Sequence, residues 1–188
     1  THSKVFFQTP DDRDLFLRLR VLRRKEKAVV VNGSGIDLDY FRESPLPEGD
    51  MTFLMVGRIQ QDKGVREFVR AAELVKGSFP RARFQLLGPF DDHPSAIPAQ
   101  EVKSWREKGS VEFLGGTPDV RPFLARCHVF VLPSYREGTP RSTLEAMAVG
   151  RAVVTTDVPG CRETVRPGEN GFLVPAQNAE ALAMAMRR

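Results

Sequence analysis

The sequence has few cysteines, no long apolar run and little net charge, and each shortage excludes a class of protein. Its two cysteines, Cys127 and Cys161, lie at no spacing typical of a zinc module or a disulfide framework. We therefore interpret both as small buried residues of a protein in a reducing compartment. No apolar run approaches the roughly 18 residues of a membrane span. A net charge of +4 is too mild to indicate nucleic acid as a partner.

What the chain does have is the composition of a folded protein, with 188 residues of which 41% are hydrophobic and 28% charged. Such a chain can bury a core, and this excludes intrinsic disorder. The basic excess is local, since residues 18–27 are rich in Arg and Lys and contain a single acid, Glu26. The sequence starts at Thr1 without a methionine and stops at Arg188 within an expected helix, so we expect a piece of a longer chain. No signal peptide is visible.

Six short apolar runs predict strands. The runs are uninterrupted rather than alternating, which favours strands covered on both faces of a parallel sheet. The gaps between them leave room for crossovers, which are usually helical. The six predicted strands are Phe53–Gly57, Phe84–Gly88, Val111–Gly115, Val129–Pro133, Ala152–Thr156 and Gly171–Pro175, and Ala28–Val31 is a further candidate.

Amphipathic segments between these runs predict helices. Apolar side chains recur with the spacing of one helix face over residues 65–79 and again over residues 120–127. The alternation predicts an α/β fold with a doubly wound, Rossmann-like parallel sheet. Ligands of such sheets bind beyond the carboxyl ends of the strands. The loops to consider are those that follow Gly57, Gly88, Gly115 and Pro133.

Residues 1–27 do not follow this alternation. Residues 11–24 predict a helix with Leu15, Leu19 and Leu22 on one face and arginines on the other. We predict that residues 1–27 are a remnant of a neighbouring domain and its linker. Residues 28–188 then form the domain built on the sheet, with its last helix truncated.

The loop from Gly57 to Gly64 joins a predicted strand to a predicted helix and carries two cations, Arg58 and Lys63. A helix N-terminus exposes unpaired N–H groups and a partial positive charge, and both favour phosphate. Arg can grip phosphate oxygens with two hydrogen bonds, and Lys adds a compact charge. The loop lacks the Gly-Lys-Ser/Thr ending of a P-loop, and two solvated surface cations are an equal alternative.

A second loop follows the fourth predicted strand and leads into a helix. Pro140 fits the first turn of that helix, with Thr139 as its cap. Glu137 in the loop and Glu145 in the helix are expected to face one crevice, where carboxylates accept hydrogen bonds from sugar hydroxyls. The alternatives are an exposed loop acid for Glu137 and a capping box with Ser142 for Glu145.

This second loop, E-G-x-P-x-x-x-L-E-A-M-A with seven residues between its two glutamates, resembles the signature of family 4 glycosyltransferases. Those are retaining enzymes of the GT-B fold. The resemblance covers about residues 28–186. The sequences of its loops are similar to those of bacterial members that build capsule, O-antigen and N-glycan precursors. Its other elements are Asn32-Gly33-x-Gly35-Ile36-Asp37, Gly57-Arg58 with Lys63-Gly64, Phe113-Leu114-Gly115, Asp157-x-Pro159-Gly160-x-Arg162-Glu163 and Asn170-Gly171-Phe172-Leu173-Val174.

The resemblance implies a two-domain enzyme of which this chain is the donor-binding C-terminal half. Arg58 and Lys63 would hold the donor diphosphate and Glu137 would bond the transferred sugar, so these three are the implied catalytic residues. Glu145 would bond the ribose hydroxyls, and Arg141 is either an auxiliary phosphate contact or a solvated side chain. The other implied donor-binding residues are Gly57, Phe113 and Leu114, the last two near the base, and Gly138, Thr139, Pro140, Ser142 and Thr143, whose backbone amides face sugar and phosphates.

The resemblance implies no metal and no cofactor beyond the donor itself, a nucleotide diphosphate sugar with UDP as the expected nucleotide. Positive charge from Arg58, Lys63 and the helix start would then stabilise the leaving diphosphate. One cluster, Asp91-Asp92-His93, could ligate a metal ion, although a solvated loop is the favoured interpretation.

The implied reaction moves a hexosyl or N-acetylhexosaminyl group to a glycan or lipid-diphosphate-linked acceptor in bacterial surface polysaccharide synthesis. The acceptor would be held by the missing half, so we expect this chain alone to be inactive. The implied location is the cytoplasm, where residues 18–27 either touch an anionic membrane surface or form a solvated face. The alternatives are a GT-B nucleotide-sugar epimerase or phosphorylase, or a non-enzymatic doubly wound module.

Overall fold

The structure, a computed structural model, describes residues 3–31 and 33–188, which form a six-stranded sheet covered by helices and a smaller two-stranded unit. Single 3₁₀ turns lie at Lys25–Lys27, Gln61–Lys63 and Arg162–Thr164. The strands and α-helices in chain order are β1 (Val5–Phe7), α1 (Pro10–Arg18), β2 (Ala28–Val30), β3 (Thr52–Val56), α2 (Val65–Lys76), β4 (Arg83–Leu87), α3 (Ala99–Glu107), β5 (Glu112–Gly115), α4 (Arg121–Arg126), β6 (Val129–Leu132), α5 (Arg141–Ala148), β7 (Ala152–Thr156), β8 (Gly171–Val174) and α6 (Ala179–Met186).

The six-stranded sheet has the order β5-β4-β3-β6-β7-β8, and every neighbouring pair is parallel. The predicted doubly wound sheet is therefore confirmed, and each predicted strand forms with ends that differ by no more than one residue. The connections run outward from β3 in one direction and from β6 in the other. The loops after these two central strands consequently diverge and leave a crevice between them.

Two hydrophobic clusters cover the two faces of this sheet. Phe53 and Met55 of β3 point into the cluster beneath α2 and α6, whereas Leu54 points into the cluster beneath α4 and α5. Successive strand residues face opposite sides, so an uninterrupted apolar run is what a strand covered on both faces requires. The Phe53 ring also stacks on Phe84 of β4, with 4.9 Å between the ring centroids.

The helices predicted from apolar periodicity over residues 65–79 and 120–127 form as α2 and α4, so both predicted positions are confirmed. The predicted end of the first is wrong, because α2 stops at Lys76 and Phe79 lies beyond it, exposed rather than on the buried face. The crossover between β7 and β8 contains a single 3₁₀ turn instead of an α-helix. None of the described helices has the length and apolar character needed to span a bilayer.

Residues 3–30 form a separate unit in which β1 and β2 pair in parallel across α1. The candidate strand at Ala28–Val31 thus forms as β2, but it pairs with β1 and does not extend the large sheet. The helix predicted over residues 11–24 ends early at Arg18, and Arg20 then adopts a left-handed φ of 57°, which no helix continues through. The division at residue 27 stays a prediction.

The interpretation of both cysteines as small buried residues is confirmed, and His128 forms a structural hydrogen bond. Cys127 and Cys161 are buried and unpaired, and burial raises the pKa of Cys127 to about 12. The Nδ1 atom of His128 accepts a hydrogen bond of 3.0 Å from the N–H of Thr52 at the start of β3.

Gly64 lies where the loop after β3 meets the start of α2, and we expect it to be essential to that contact. Its φ of 74° is left-handed, and a Cβ there would overlap the carbonyl group of Pro133 at the end of β6. Gly64→Ala should lower the free energy of unfolding by about 2–4 kcal/mol, combining backbone strain with overpacking. Urea denaturation measures the loss.

Gly109→Ala is the matched control for this substitution. Gly109 has nearly the same φ, 70°, but nothing lies within 4 Å of its missing Cβ. It should lose only the backbone share, about 1 kcal/mol. Equal losses in the two variants would contradict a tight approach of α2 to the end of β6.

Candidate functional site

The candidate site is the crevice at the carboxyl ends of β3 and β6. The loops 57–64 and 133–140 face each other across a cavity of about 240 Å³. This is the position at which a doubly wound sheet binds ligands. The cavity is lined by Val56, Gly57, Arg58, Lys63, Leu132, Glu137, Pro140, Arg141 and Ser142.

Two hydrogen bonds to one carbonyl group tie these loops together. The N–H of Tyr135 donates to the carbonyl oxygen of Asp62 at 2.9 Å, and the hydroxyl of Ser134 donates to the same oxygen at 3.1 Å. The 3₁₀ turn at Gln61–Lys63 is thereby fixed against the end of β6. The direction in which Lys63 leaves the backbone is set by this contact.

The side chain of Tyr135 reinforces the same junction. Its hydroxyl donates to Glu67 Oε1 of α2 at 2.8 Å and accepts a hydrogen bond from the amide of Gln61. Burial raises the pKa of Tyr135 to about 12, and the bond to Glu67 acts in the same direction. The phenol stays protonated at neutral pH and holds the loop after β6 against α2. Sequence reasoning missed both Tyr135 and Glu67, because neither residue type is distinctive in a loop or on a helix.

The structure brings Lys63 and Glu137 together as an ion pair. Lys63 Nζ lies 2.6 Å from Glu137 Oε1, and the two side chains are only 20% and 14% exposed. A carboxylate has further lone pairs, so Glu137 can hold Lys63 and still accept hydrogen bonds from a ligand hydroxyl. The alternative of an exposed loop acid is therefore wrong for Glu137.

Arg58 also lines the cavity and is more exposed than Lys63. Its side chain is 55% exposed, and its guanidinium reaches Asp91 Oδ2 at 3.4 Å. Gln60 donates to the same oxygen at 2.6 Å. Asp91 thus accepts hydrogen bonds from two side chains of the loop after β3. The neighbouring His93 forms a hydrogen bond with Ser95. Within residues 3–31 and 33–188, no three His, Cys, Asp or Glu side chains are grouped to hold a metal ion.

Helix α5 begins at the cavity without a side-chain cap. Pro140 is itself the N-cap, in an extended conformation, so the prediction of Thr139 as the cap is wrong. The capping box with Ser142 is also wrong, because Ser142 is already the second residue of the helix. First-turn N–H groups have no partner inside a helix. Arg141 and Ser142, the first two residues of α5, line the cavity, and the helix dipole favours an anion at this end of the helix.

Glu145 lies one helical turn beyond Arg141 and, among the described residues, is not one that lines the cavity. Its side chain is 14% exposed, and Arg141 approaches Glu145 Oε1 at 3.8 Å. Burial raises the pKa of Glu145, and the charge of Arg141 opposes that shift. Thr143, on the same helix, buries its hydroxyl without a hydrogen-bond partner among the described residues.

The remaining predicted donor-binding residues divide between those near the cavity and those remote from it. Gly138 and Thr139 follow Glu137 directly, but the N–H of Thr139 already donates to Gln8 Oε1 at 3.1 Å. Phe113 and Leu114 lie on the edge strand β5, and neither is among the described residues that line the cavity. The Phe113 ring packs instead on Phe90, with 5.2 Å between the ring centroids.

A larger cavity of about 630 Å³ lies at the opposite end of the sheet. It is lined by Met51 and Phe53 near the start of β3, by Phe79 after α2 and by Met186 of α6, and its charged lining residues are Asp50, Arg81, Arg187 and Arg188. The amino ends of parallel strands are not where such sheets bind ligands. The smaller cavity between the two loops is therefore the candidate site.

Known proteins share this architecture and this stretch of sequence. A relative from Campylobacter jejuni, N,N'-diacetylbacillosaminyl-diphospho-undecaprenol alpha-1,3-N-acetylgalactosaminyltransferase, is 38% identical over 69% of this chain and 33% of its own length. The putative colanic acid biosynthesis glycosyltransferase WcaL of Salmonella typhimurium is 29% identical over 88% of this chain and 43% of its own length. The chain therefore spans less than half the length of these curated relatives.

Solved structures give the same result for the fold. A glycosyltransferase from Rickettsia africae superposes with a TM-score of 0.83 at 23% identity, covering 99% of this chain and 52% of that one. Anabaena HepE in complex with UDP and glucose superposes with a TM-score of 0.79 at 22% identity, covering 98% and 52%. The expected GT-B type of fold is thereby confirmed. The family model for glycosyl transferases group 1 matches residues 50–188, and the chain belongs to that family.

Proposed function

We propose that this chain is the donor-binding half of a retaining, family 4 glycosyltransferase that uses a UDP-sugar. The observation that carries the proposal is the convergence of Lys63, Glu137 and the uncapped start of α5 on one cavity. Cations and open N–H groups suit a diphosphate, and a carboxylate suits sugar hydroxyls. The proposal is supported by HepE, which binds UDP and UDP-glucose in its solved structures.

The proposed mechanism is stabilisation of the leaving group. Negative charge develops on the diphosphate as the sugar–phosphate bond breaks, and Lys63, Arg58 and the first-turn amides of α5 would meet that charge in fixed positions. Loss of one such donor typically costs about 2.7–4 kcal/mol of transition-state stabilisation. Glu137 would orient the transferred sugar, a hexose or N-acetylhexosamine, while it keeps Lys63 in place.

The proposed acceptor is a glycan or a lipid-diphosphate-linked saccharide of bacterial surface polysaccharide synthesis. The Campylobacter relative, by its name, acts on a diphospho-undecaprenol substrate, and other relatives are named for colanic acid and capsular polysaccharide. We propose that the acceptor is held by a part of the protein outside this chain. Membership of a glycosyltransferase family favours sugar transfer over the epimerase, phosphorylase and non-enzymatic alternatives.

We propose that Glu145 binds the ribose of the nucleotide. Glu145 would accept hydrogen bonds from the ribose hydroxyls of a nucleotide that extends past Arg141. Within the described chain, Arg141 is the only ion-pair partner of Glu145.

We propose that the turn after α1 meets an anionic membrane surface. Leu19 and Val21 are 62% and 68% exposed at this turn, beside the arginines of residues 18–24. Exposed apolar side chains ringed by cations suit the anionic cytoplasmic surface of a membrane.

Removal of the site's cations should weaken nucleotide binding. Calorimetric titration of UDP is expected to show about 10- to 100-fold weaker binding for Lys63→Ala, the size of a lost charged hydrogen bond. Arg58→Ala should lose less, because its guanidinium is more exposed. Lys103→Ala, an exposed lysine of α3, should bind like the wild type. The unmodified chain should bind UDP yet transfer no sugar, and unchanged affinity in both site variants would place the nucleotide elsewhere.

Glu145→Gln should stabilise the fold and weaken nucleotide binding. Because burial raises the pKa of Glu145 in the folded state, its contribution to stability is complete at acidic pH and is lost as pH rises through that pKa. The variant should therefore be more stable than the wild type at pH 7, with a gain that shrinks towards pH 4. Denaturation at both pH values measures this, with Glu107→Gln on exposed α3 as the control. A gain that is independent of pH would contradict the assigned cause.

Neutralising Arg20, Arg23 and Arg24 to Gln should weaken binding to anionic vesicles. At about 1 kcal/mol per residue near the surface, the partition coefficient should fall roughly 100-fold. Co-sedimentation with vesicles that contain phosphatidylglycerol measures this. A control variant that neutralises the exposed Arg70, Arg81 and Arg106 of the large domain should retain binding. Equal binding by the two variants would argue against a membrane contact at residues 18–24.

A further inference from the structure

A glutamine from the N-terminal unit sits on the loop that carries Glu137. Gln8 directly follows β1, and its Oε1 atom accepts a hydrogen bond of 3.1 Å from the N–H of Thr139. Its side chain fills the place that a Cβ on Gly138 would need. The two bonded residues are 131 positions apart in the chain, so only the fold brings them together.

Two ion pairs hold the N-terminal unit against this loop. Asp12 in the first turn of α1 pairs with Arg136, which immediately precedes Glu137. Asp11 lies 3.4 Å from Arg162, a residue of the segment after β7. The start of α1 is therefore held by ion pairs to the loop of Glu137 and to the segment after β7.

Apart from Gln8, few groups hold the loop of Glu137 on the side that faces the N-terminal unit. The N–H of Glu137 donates to the carbonyl oxygen of Pro159 at 3.2 Å, and Gly160 packs so closely that a Cβ there would overlap the carbonyl groups of Glu137 and Gly138. These contacts hold the loop up to Gly138. The hydrogen bond that Thr139 donates to Gln8 is the only one that its N–H makes within the described chain.

We propose that Gln8 is a positioning residue of the donor site, acting through the N–H of Thr139 to hold the loop of Glu137 in the geometry that faces Lys63. The inference rests on the proposed function, since it takes this loop to meet the donor. Docking of the N-terminal unit and binding of the donor are then linked, and each strengthens the other by the same factor.

Titration of the chain with UDP tests the inference. Gln8→Ala should bind UDP about fivefold more weakly, the effect of one lost neutral hydrogen bond. Gln8→Met, which keeps the length of the side chain but not its amide, should be equally weak. Gln100→Ala, an exposed glutamine of α3, should bind like the wild type. Thermal unfolding of each variant establishes that the fold is retained.

A double-mutant cycle distinguishes loop positioning from an unrelated loss. The Cβ of Gly138→Ala would displace the Gln8 amide, so the two substitutions together should weaken binding by less than the product of their single effects. Multiplicative effects, or wild-type affinity in Gln8→Ala or Gln8→Met, would overturn this inference alone. No UDP binding by the wild-type chain would overturn the proposed function, and this inference with it.

Discussion

The ion pair between Lys63 and Glu137 depends on the close approach of two chain segments that leave the centre of the sheet in opposite directions. β3 and β6 are neighbours in the sheet, and Lys63 and Glu137, in the loops that follow them, are 74 positions apart in the chain. Their loops meet only because Gly64 has no side chain, which lets α2 begin against the carbonyl group of Pro133. The carbonyl oxygen of Asp62 then accepts two hydrogen bonds from the opposite loop. The cavity is the space that this junction leaves open.

Four of the six described α-helices, α2, α3, α4 and α5, begin without a side-chain cap, and α5 differs from the others in that its first residues, Arg141 and Ser142, line the cavity. Ser, Thr, Asp or Asn at the N-cap normally satisfies one of the first N–H groups of a helix, as Thr9 does for α1 and Asn178 does for α6. Pro140 offers no such group to α5. An uncapped helix start beside a lysine is favourable for an anion, which agrees with the donor-binding role that we propose for this cavity.

The N-terminal unit is small, but its contacts reach the loop that carries Glu137. Its acidic helix start meets two arginines of the large domain, and its glutamine meets the loop of Glu137. Exposed ion pairs such as these contribute little individually. Their role here is to orient the N-terminal unit, because they hold the Gln8 amide against the loop that contains Gly138. A displacement of the N-terminal unit would therefore alter the loop of Glu137 more than it would alter the sheet.

The sequence by itself determined the six strands of the large sheet, the places of α2 and α4, and the two loops of the site. Uninterrupted apolar runs can be buried on both faces only within a covered sheet, and parallel strands direct their following loops to one edge. It also identified Lys63 and Glu137, through the pattern of their loops. Only the tertiary structure decided that α5 begins at Arg141, that Glu145 lies beyond the cavity wall, and that Gln8 occupies the N–H of Thr139. These depend on contacts between distant segments, and periodicity and local spacing carry no information about such contacts.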